Sequence, residues 1–346
     1  MKIIIDDKIP YIKGQAEQLG ETVYLPGNKI SADDVHDADV LIVRTRTTCN
    51  EGLLANSSVK FIATATIGYD HLDLDYLQRK QIAWTNCPGC NANSVAQYVA
   101  CSLLLLEKEG KLNLKETTVG IVGVGNVGQS VQKLLETMGC RVLLNDPPRA
   151  ERDPDFPHTE MSVLQKECDV ITFHTPLTTT GNHATYHLVD DNFFAQLSRT
   201  PVFINAGRGE VVSTEALLRA IDAKQIRAAI IDTWENEPHI NLELLQKVYI
   251  GTPHIAGYSA DGKANGTRMS LQAVARYFGK DITFDVQAPH LPPDFCYDPQ
   301  HRCSDDARLR LYNPLCDSDL LKCNPDLFEQ IRGDYPLRRE KATDNS

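Results

Sequence analysis

Nowhere does the chain hold the roughly 18–20 consecutive apolar residues that a membrane span requires, and its start runs straight into the strand-like Ile3-Ile4-Ile5 with no secretory leader ahead of it. A cytoplasmic protein is the expectation. Positive charge is scarce as well: 35 Lys and Arg against 46 Asp and Glu leave a net charge of −11. A broad nucleic-acid or anionic-membrane surface is thereby excluded, because phosphate binding over a wide face needs clustered Lys and Arg. Closely spaced cysteines are nearly missing too. Among ten cysteines only Cys87-Pro-Gly-Cys90 forms a tight pair, and no thioredoxin-like pattern surrounds it. Cys296, Cys303, Cys316 and Cys323 lie too far apart for a zinc ribbon, which wants close pairs. No metal site is expected, and without a leader the thiols read as reduced.

A chain of 346 residues with a 42% apolar share is long enough for two cores rather than one. Residues 1 to about 93 alternate apolar strands (Ile3–Ile5, Val40–Val43, Phe61–Ala65) with helical patterns such as the one around Asp75–Arg79. A long helix over Asn93–Glu109 leads into a second alternation, with strands at Thr118–Val122, Arg141–Asn145, Val170–Phe173, Val202–Asn205, Ala228–Asp232 and Val248–Ile250. The expected fold class is α/β, with two Rossmann-like doubly wound parallel-sheet domains, a cleft between them and a short C-terminal appendage. Residues 1–93 and 260–286 would form a substrate-binding domain and 94–259 a dinucleotide-binding domain. The Pro-rich Gln287–Pro293 would lead into a C-terminal segment, 287–346, that serves dimerisation in an expected homodimer.

Gly123-Val-Gly125-Asn126-Val127-Gly128 sits between the strand Thr118–Val122 and a helix carrying Val131, Leu134 and Leu135. The first glycine permits a tight turn, the second lets backbone approach a pyrophosphate, and the third lets helix and strand pack closely. Eighteen positions beyond Gly128, Asp146 ends the next strand, where an acidic residue accepts hydrogen bonds from the adenosine ribose 2′-hydroxyl. That position favours NAD over NADP. Three later strand ends carry Asn205-Ala206-Gly207-Arg208-Gly209, Asp232-Thr-Trp-Glu-Asn-Glu237-Pro238 and His254-Ile-Ala-Gly257-Tyr258. A guanidinium that can fork onto a carboxylate, an acidic residue and an imidazole make a complete set for a 2-hydroxy acid.

These segments, together with Phe173-His-Thr-Pro-Leu177, resemble the D-isomer-specific 2-hydroxyacid dehydrogenases, in which Arg, Glu and His follow one another in this order. The resemblance covers roughly residues 1–290. It implies that Arg208 binds the substrate carboxylate, that His254 exchanges the proton at C2, and that Glu237 supports His254 and raises its pKa. Gly123, Gly125, Asn126, Val127, Gly128, Asp146, Thr175, Ala206, Gly207, Arg208, Asp232 and Gly257 would hold NAD. Thr45, Thr66 and Tyr258 would contact a small phosphorylated 2-hydroxy acid. In Val43-Arg44-Thr45-Arg46, read as extended, the two arginines would point away from Thr45. The segment after Pro292 is shorter than the C-terminal domain expected from the resemblance. Other acids, such as 3-phosphoglycerate or glycerate, remain open, as does a NAD(H)-sensing protein like the dehydrogenase-related corepressors.

Overall fold

The computed structural model describes residues 1–297 and 306–341. The chain folds as two compact units, residues 1–91 with 259–290, and residues 92–258 with 291–346. In the first unit β1 (Lys2–Asp6), β2 (Glu21–Leu25), β3 (Val40–Val43), β4 (Phe61–Thr64) and β5 (Ala83–Thr85) form one sheet in the order β2-β1-β3-β4-β5. All four pairings are parallel. β1, β3 and β4 are buried on both faces, which is why they read as near-continuous apolar runs, Ile3–Ile5, Val40–Val43 and Phe61–Ala63. One face packs under the Ala260–Tyr277 helix through Ala264, Leu271, Val274 and Ala275.

In the second unit β6 (Thr118–Val122), β7 (Arg141–Asn145), β8 (Val170–Phe173), β9 (Val202–Asn205), β10 (Ala228–Ile231) and β11 (Ile250–Gly251) run in the order β11-β10-β9-β8-β6-β7. These pairings too are parallel. The strand order reverses beside β6, so the glycine turn that follows β6 lies at the topological switch point, where such sheets bind ligands. The Ala92–Lys108 helix buries Tyr98, Val99, Leu103 and Leu106 completely and packs along the Asn126–Thr137 helix.

The C-terminal segment docks on this same unit. Helices Ala307–Leu311, Pro314–Cys323 and Phe328–Gly333 bury Leu309 and Tyr312 in the cluster around the Ala92–Lys108 helix, and Leu321 and Phe328 in the cluster on the other face of the sheet. Below them Arg338 is wholly buried. It donates to the Gln97 side chain (2.9 Å) and to the Ser94 (2.5 Å) and Ile255 (3.2 Å) carbonyls, and its guanidinium lies 3.6 Å from the Tyr312 ring centre. The balancing charge is Asp317, which accepts hydrogen bonds from the hydroxyls of Tyr297 (2.9 Å), Tyr312 (3.0 Å) and Tyr335 (2.8 Å).

Three expectations need correction. β2 was not foreseen: it is an edge strand only partly buried, so its Glu-Thr-Val-Tyr-Leu lacks the apolar run of its neighbours. Arg44–Thr47 is a turn closed by a Thr47 N–H to Arg44 carbonyl bond of 3.2 Å, so strand alternation does not apply to it. Arg44 instead forks onto buried Asp6 at 3.0 and 3.1 Å. Finally, not every thiol is reduced. Among the described residues Cys296 is disulfide-bonded, whereas Cys87 and Cys90 take part in no disulfide; Cys303 lies outside the described residues.

Candidate active site

The glycine turn is built for a ligand at one of its three glycines and for packing at the other two. Gly123 has φ +86, and a Cβ there would come within 2.8 Å of the His174 and Thr175 backbone. A Cβ on Gly128 would lie 2.2 Å from the Gly123 carbonyl oxygen. On Gly125, in contrast, it would meet nothing within 4 Å, and Gly125 and Asn126 are exposed while Val127 is half-buried. Thr175, whose backbone lies against Gly123, is buried with no hydrogen-bond partner for its hydroxyl among the described residues. A glycine with open space around it and a nearby orphaned buried hydroxyl fit a dinucleotide.

Asp146 caps the Pro147–Arg152 helix, accepting from Arg149 N–H (3.0 Å), and its second oxygen accepts from Val124 N–H at 2.8 Å. The carboxylate is thus held at the rim of the glycine turn. Arg149, the cation that could have served a 2′-phosphate, donates to the Val124 carbonyl (3.0 Å) and lies over the Phe156 ring at 4.4 Å. It is employed in packing.

Beyond β9, the Asn205 side chain organises the Arg208 loop: its amide donates to the Arg208 carbonyl (3.0 Å) and its oxygen accepts from Gly207 N–H (3.2 Å). A Cβ on Gly207 would lie 3.0 Å from the Thr175 carbonyl oxygen, and Ala206 is half-buried alongside. A Cβ on Gly209 would sit 1.9 Å from the Trp234 carbonyl, so only glycine lets this loop lie against the Trp234-Glu235 backbone. The half-buried Arg208 donates to the Gly207 carbonyl at 2.8 Å.

His254 follows β11 with φ +56, a left-handed conformation that a side-chain-bearing residue adopts only when its surroundings enforce it. The enforcing group is Asp232. Its buried carboxylate accepts from the Thr252 hydroxyl (2.7 Å), Ile255 N–H (2.8 Å) and Ala256 N–H (3.0 Å), while its carbonyl accepts from His254 N–H (2.8 Å). Three of the carboxylate's roughly four acceptor positions are thereby used inside the loop. Gly257 and Tyr258 complete that loop, both half-buried.

His254 Nδ1 and Glu237 Oε2 are 2.8 Å apart, and Glu237 Oε1 accepts from Trp234 N–H at 2.9 Å. Burial pushes the Glu237 carboxyl up, but the bond from His254, the charges of His254 and Arg332, and the Trp234 N–H outweigh it, so the net value lies below the ordinary one. Arg332 went unnoticed in the sequence. It arrives from the Phe328–Gly333 helix and donates through Nε to the Tyr258 hydroxyl at 3.0 Å. No motif surrounds it.

The two remaining sites belong to the first unit. Thr45 is exposed in the turn after β3. Thr66 follows β4, its hydroxyl donating to the Gly68 carbonyl (2.9 Å) and lying 2.6 Å from that of Thr64. Among the described residues no group of three or more metal-ligating side chains occurs, and no helix is long and apolar enough to cross a membrane.

Residues 105–256 match the NAD-binding domain of the D-isomer specific 2-hydroxyacid dehydrogenases. Over its whole length the chain is 54% identical to an erythronate-4-phosphate dehydrogenase of Bacteroides thetaiotaomicron, spanning 99% of that protein. It is 40% identical over 98% of its length to the enzyme of that name from Escherichia coli, of which it spans 87%. Among solved structures, a D-lactate dehydrogenase from Aquifex aeolicus complexed with NAD and lactic acid superposes with a TM-score of 0.63 at 25% identity, covering 81% of this chain and 96% of that one. A NAD⁺-bound 3-phosphoglycerate dehydrogenase from Entamoeba histolytica gives 0.66 at 25% identity, covering 83% and 98%. The protein is a NAD-dependent dehydrogenase. The chain belongs to the erythronate-4-phosphate dehydrogenases, within the D-isomer specific 2-hydroxyacid dehydrogenases.

Proposed function

We propose that the protein oxidises 4-phospho-D-erythronate at C2 to 2-oxo-3-hydroxy-4-phosphobutanoate, a step toward pyridoxal 5′-phosphate. The observation that carries this reading is the 54% identity to an erythronate-4-phosphate dehydrogenase along the entire chain. The site chemistry agrees with it. When bound, NAD supplies the acceptor for the hydride that leaves C2. With Nδ1 hydrogen-bonded to Glu237, His254 presents Nε2 as the base that takes the C2 hydroxyl proton. Glu237, kept ionised, favours the imidazolium that results. Arg208 grips the substrate carboxylate through its planar fork, and Thr45, Thr66 and Tyr258 line the substrate. Gly123, Gly125, Asn126, Val127, Gly128, Asp146, Thr175, Ala206, Gly207, Arg208, Asp232 and Gly257 hold the cofactor, with Asp146 selecting NAD. The first unit would serve the substrate and the second NAD.

Turnover with NAD decides between substrates. The expected ranking places 4-phosphoerythronate far above 3-phosphoglycerate and glycerate in kcat/KM. Equal or better use of 3-phosphoglycerate would overturn the assignment, and no turnover of any of these acids would favour a NAD(H)-sensing role. The proposed assembly is a cytoplasmic homodimer, supported by Leu320 and Leu327 of the C-terminal segment, which are 49% and 43% exposed. Sedimentation at micromolar concentration tests it, and a monomer there would reject it.

A further inference from the structure

We infer that Thr66 recognises the C3 hydroxyl of the substrate by accepting a hydrogen bond from it, and that His71, acting through Thr64, is the positioning residue that keeps Thr66 an acceptor. The inference rests on the substrate proposed above. It names the group that sets that substrate apart from 3-phosphoglycerate, which carries a hydroxyl at C2 alone.

A row of hydrogen bonds inside the first unit carries it, and the direction of the row follows from counting protons. Each hydroxyl has one hydrogen to give and two lone pairs with which to receive. Thr66 gives its hydrogen to the Gly68 carbonyl at 2.9 Å, a group that only accepts. The Thr64 hydroxyl, 2.6 Å from that of Thr66, is therefore the donor of that pair. With its hydrogen engaged, Thr64 can only accept from His71 Nε2 at 3.1 Å. The imidazole is thereby fixed as the Nε2–H tautomer. Its Nδ1, buried with no hydrogen-bond partner among the described residues, bears a lone pair and no proton. Burial pushes the His71 imidazole below its ordinary range against the opposing pull of Asp70, which agrees with a neutral ring.

Backbone bonds hold the row in place. Ala65 N–H donates to the Val43 carbonyl (2.9 Å), Cys87 N–H to the Thr66 carbonyl (2.9 Å), and the Asn86 side chain to the Ile67 carbonyl (2.7 Å). The His71 carbonyl accepts from Cys49 N–H at 2.8 Å. Thr64 is wholly buried, whereas Thr66 is half-buried and so within reach of a ligand. Of the two lone pairs on the Thr66 oxygen, Thr64 occupies one, and no other donor takes the second among the described residues. An oxygen with a lone pair to offer and no hydrogen to give attracts a donor and disfavours an anion. The carboxylate and the phosphate dianion only accept, and the C2 hydroxyl gives its proton to His254. The C3 hydroxyl is the donor that remains.

The test compares kcat/KM on 4-phosphoerythronate with that on 2-hydroxy-4-phosphobutanoate, the same acid without its C3 hydroxyl, for the unaltered protein, T66V and T66S. The unaltered protein should prefer 4-phosphoerythronate by about 10- to 100-fold, the span expected when a polar group is left unpaired, and T66V should bring the two acids within about threefold of each other. T66S, which keeps the hydroxyl, should keep most of the preference. A preference undiminished in T66V would overturn the inference, because Thr66 would then bind a group common to both acids, and so would equal use of the two acids by the unaltered protein. Nitrogen NMR of the protein labelled with ¹⁵N-histidine, with the His71 signals assigned by their loss in H71Q, should show the neutral Nε2–H tautomer at pH 7. An Nδ1–H tautomer would reverse the row and overturn the role of His71. That spectrum needs no substrate, so failure of the unaltered protein to oxidise 4-phosphoerythronate would count against the proposed substrate and leave the tautomer to judge His71.

Discussion

At the scale of single residues, His254 is constrained twice, its left-handed backbone by Asp232 and its ring by Glu237. His254→Asn should reduce turnover by about 10²- to 10⁴-fold, the usual contribution of a positioned acid/base, while the dissociation constant for NAD stays nearly unchanged. Near wild-type turnover at saturating substrate would remove His254 from proton transfer. Because the Glu237 carboxyl is held below its ordinary value, its contribution to stability is present above the unfolded carboxylate range and disappears as pH falls through the folded value. Glu237→Gln should abolish that acid-side loss and shift the pH profile for oxidation; identical profiles would exclude Glu237 from the mechanism. The pairing of Glu237 with His254 was legible because each follows a strand in a distinctive motif. Arg332 was not, since nothing in Phe328-Glu-Gln-Ile-Arg332 marks the helix as turned toward Tyr258.

At the scale of elements, the glycine turn separates two jobs that its spacing cannot distinguish. A methyl group on Gly125 projects into open space, whereas one on Gly128 lies 2.2 Å from a carbonyl oxygen. Gly125→Ala should therefore leave the unfolding midpoint within about 0.5 kcal/mol of wild type and weaken NAD binding. Gly128→Ala should destabilise by about 1–3 kcal/mol or more, the cost of overpacking. Calorimetric NAD titration and urea melts on both variants check this, and a destabilised Gly125→Ala with intact NAD affinity would refute it. The doubly buried strands were legible as short runs dominated by apolar residues. β2 and the turn at Arg44–Thr47 were missed for a shared reason: what shapes them is an edge pairing with β1 and the Arg44–Asp6 ion pair, and both partners are distant in sequence.

At the scale of the whole molecule, the C-terminal segment stakes its docking on two buried charges, Asp317 and Arg338. Burial pushes the Asp317 carboxyl up to about 6, against the pull of three tyrosine hydroxyls and of Arg338. Its folded value thus exceeds its unfolded one. Between the ordinary carboxylate range and pH 6 the docked state holds a proton that the undocked chain lacks, so docking strengthens as pH falls through 6 and is level above it. Amide exchange in the Pro314–Cys323 helix, corrected for intrinsic rates, should be slower at pH 5 than at pH 7.5. Asp317→Asn should flatten that difference, and a wild-type protein with no such difference would refute the assignment. Composition showed that the segment's few apolar side chains needed something to dock against. It could not show that the anchor is an arginine.

Arg338 also has a consequence for the order in which the molecule assembles. Its guanidinium joins Gln97, 241 positions away, to the Ile255 carbonyl, 83 positions away, and the residue after His254 is thereby tied to both. Contacts this distant in sequence close large loops, and chain entropy makes them slow to form. The sheets and helices can be in place while the His254 loop still waits for the tail. On dilution from urea, far-ultraviolet circular dichroism should recover first and dehydrogenase activity should return in a later phase, which Arg338→Met should retard further. Simultaneous recovery of both signals would mean that the loop reaches its final form without the tail.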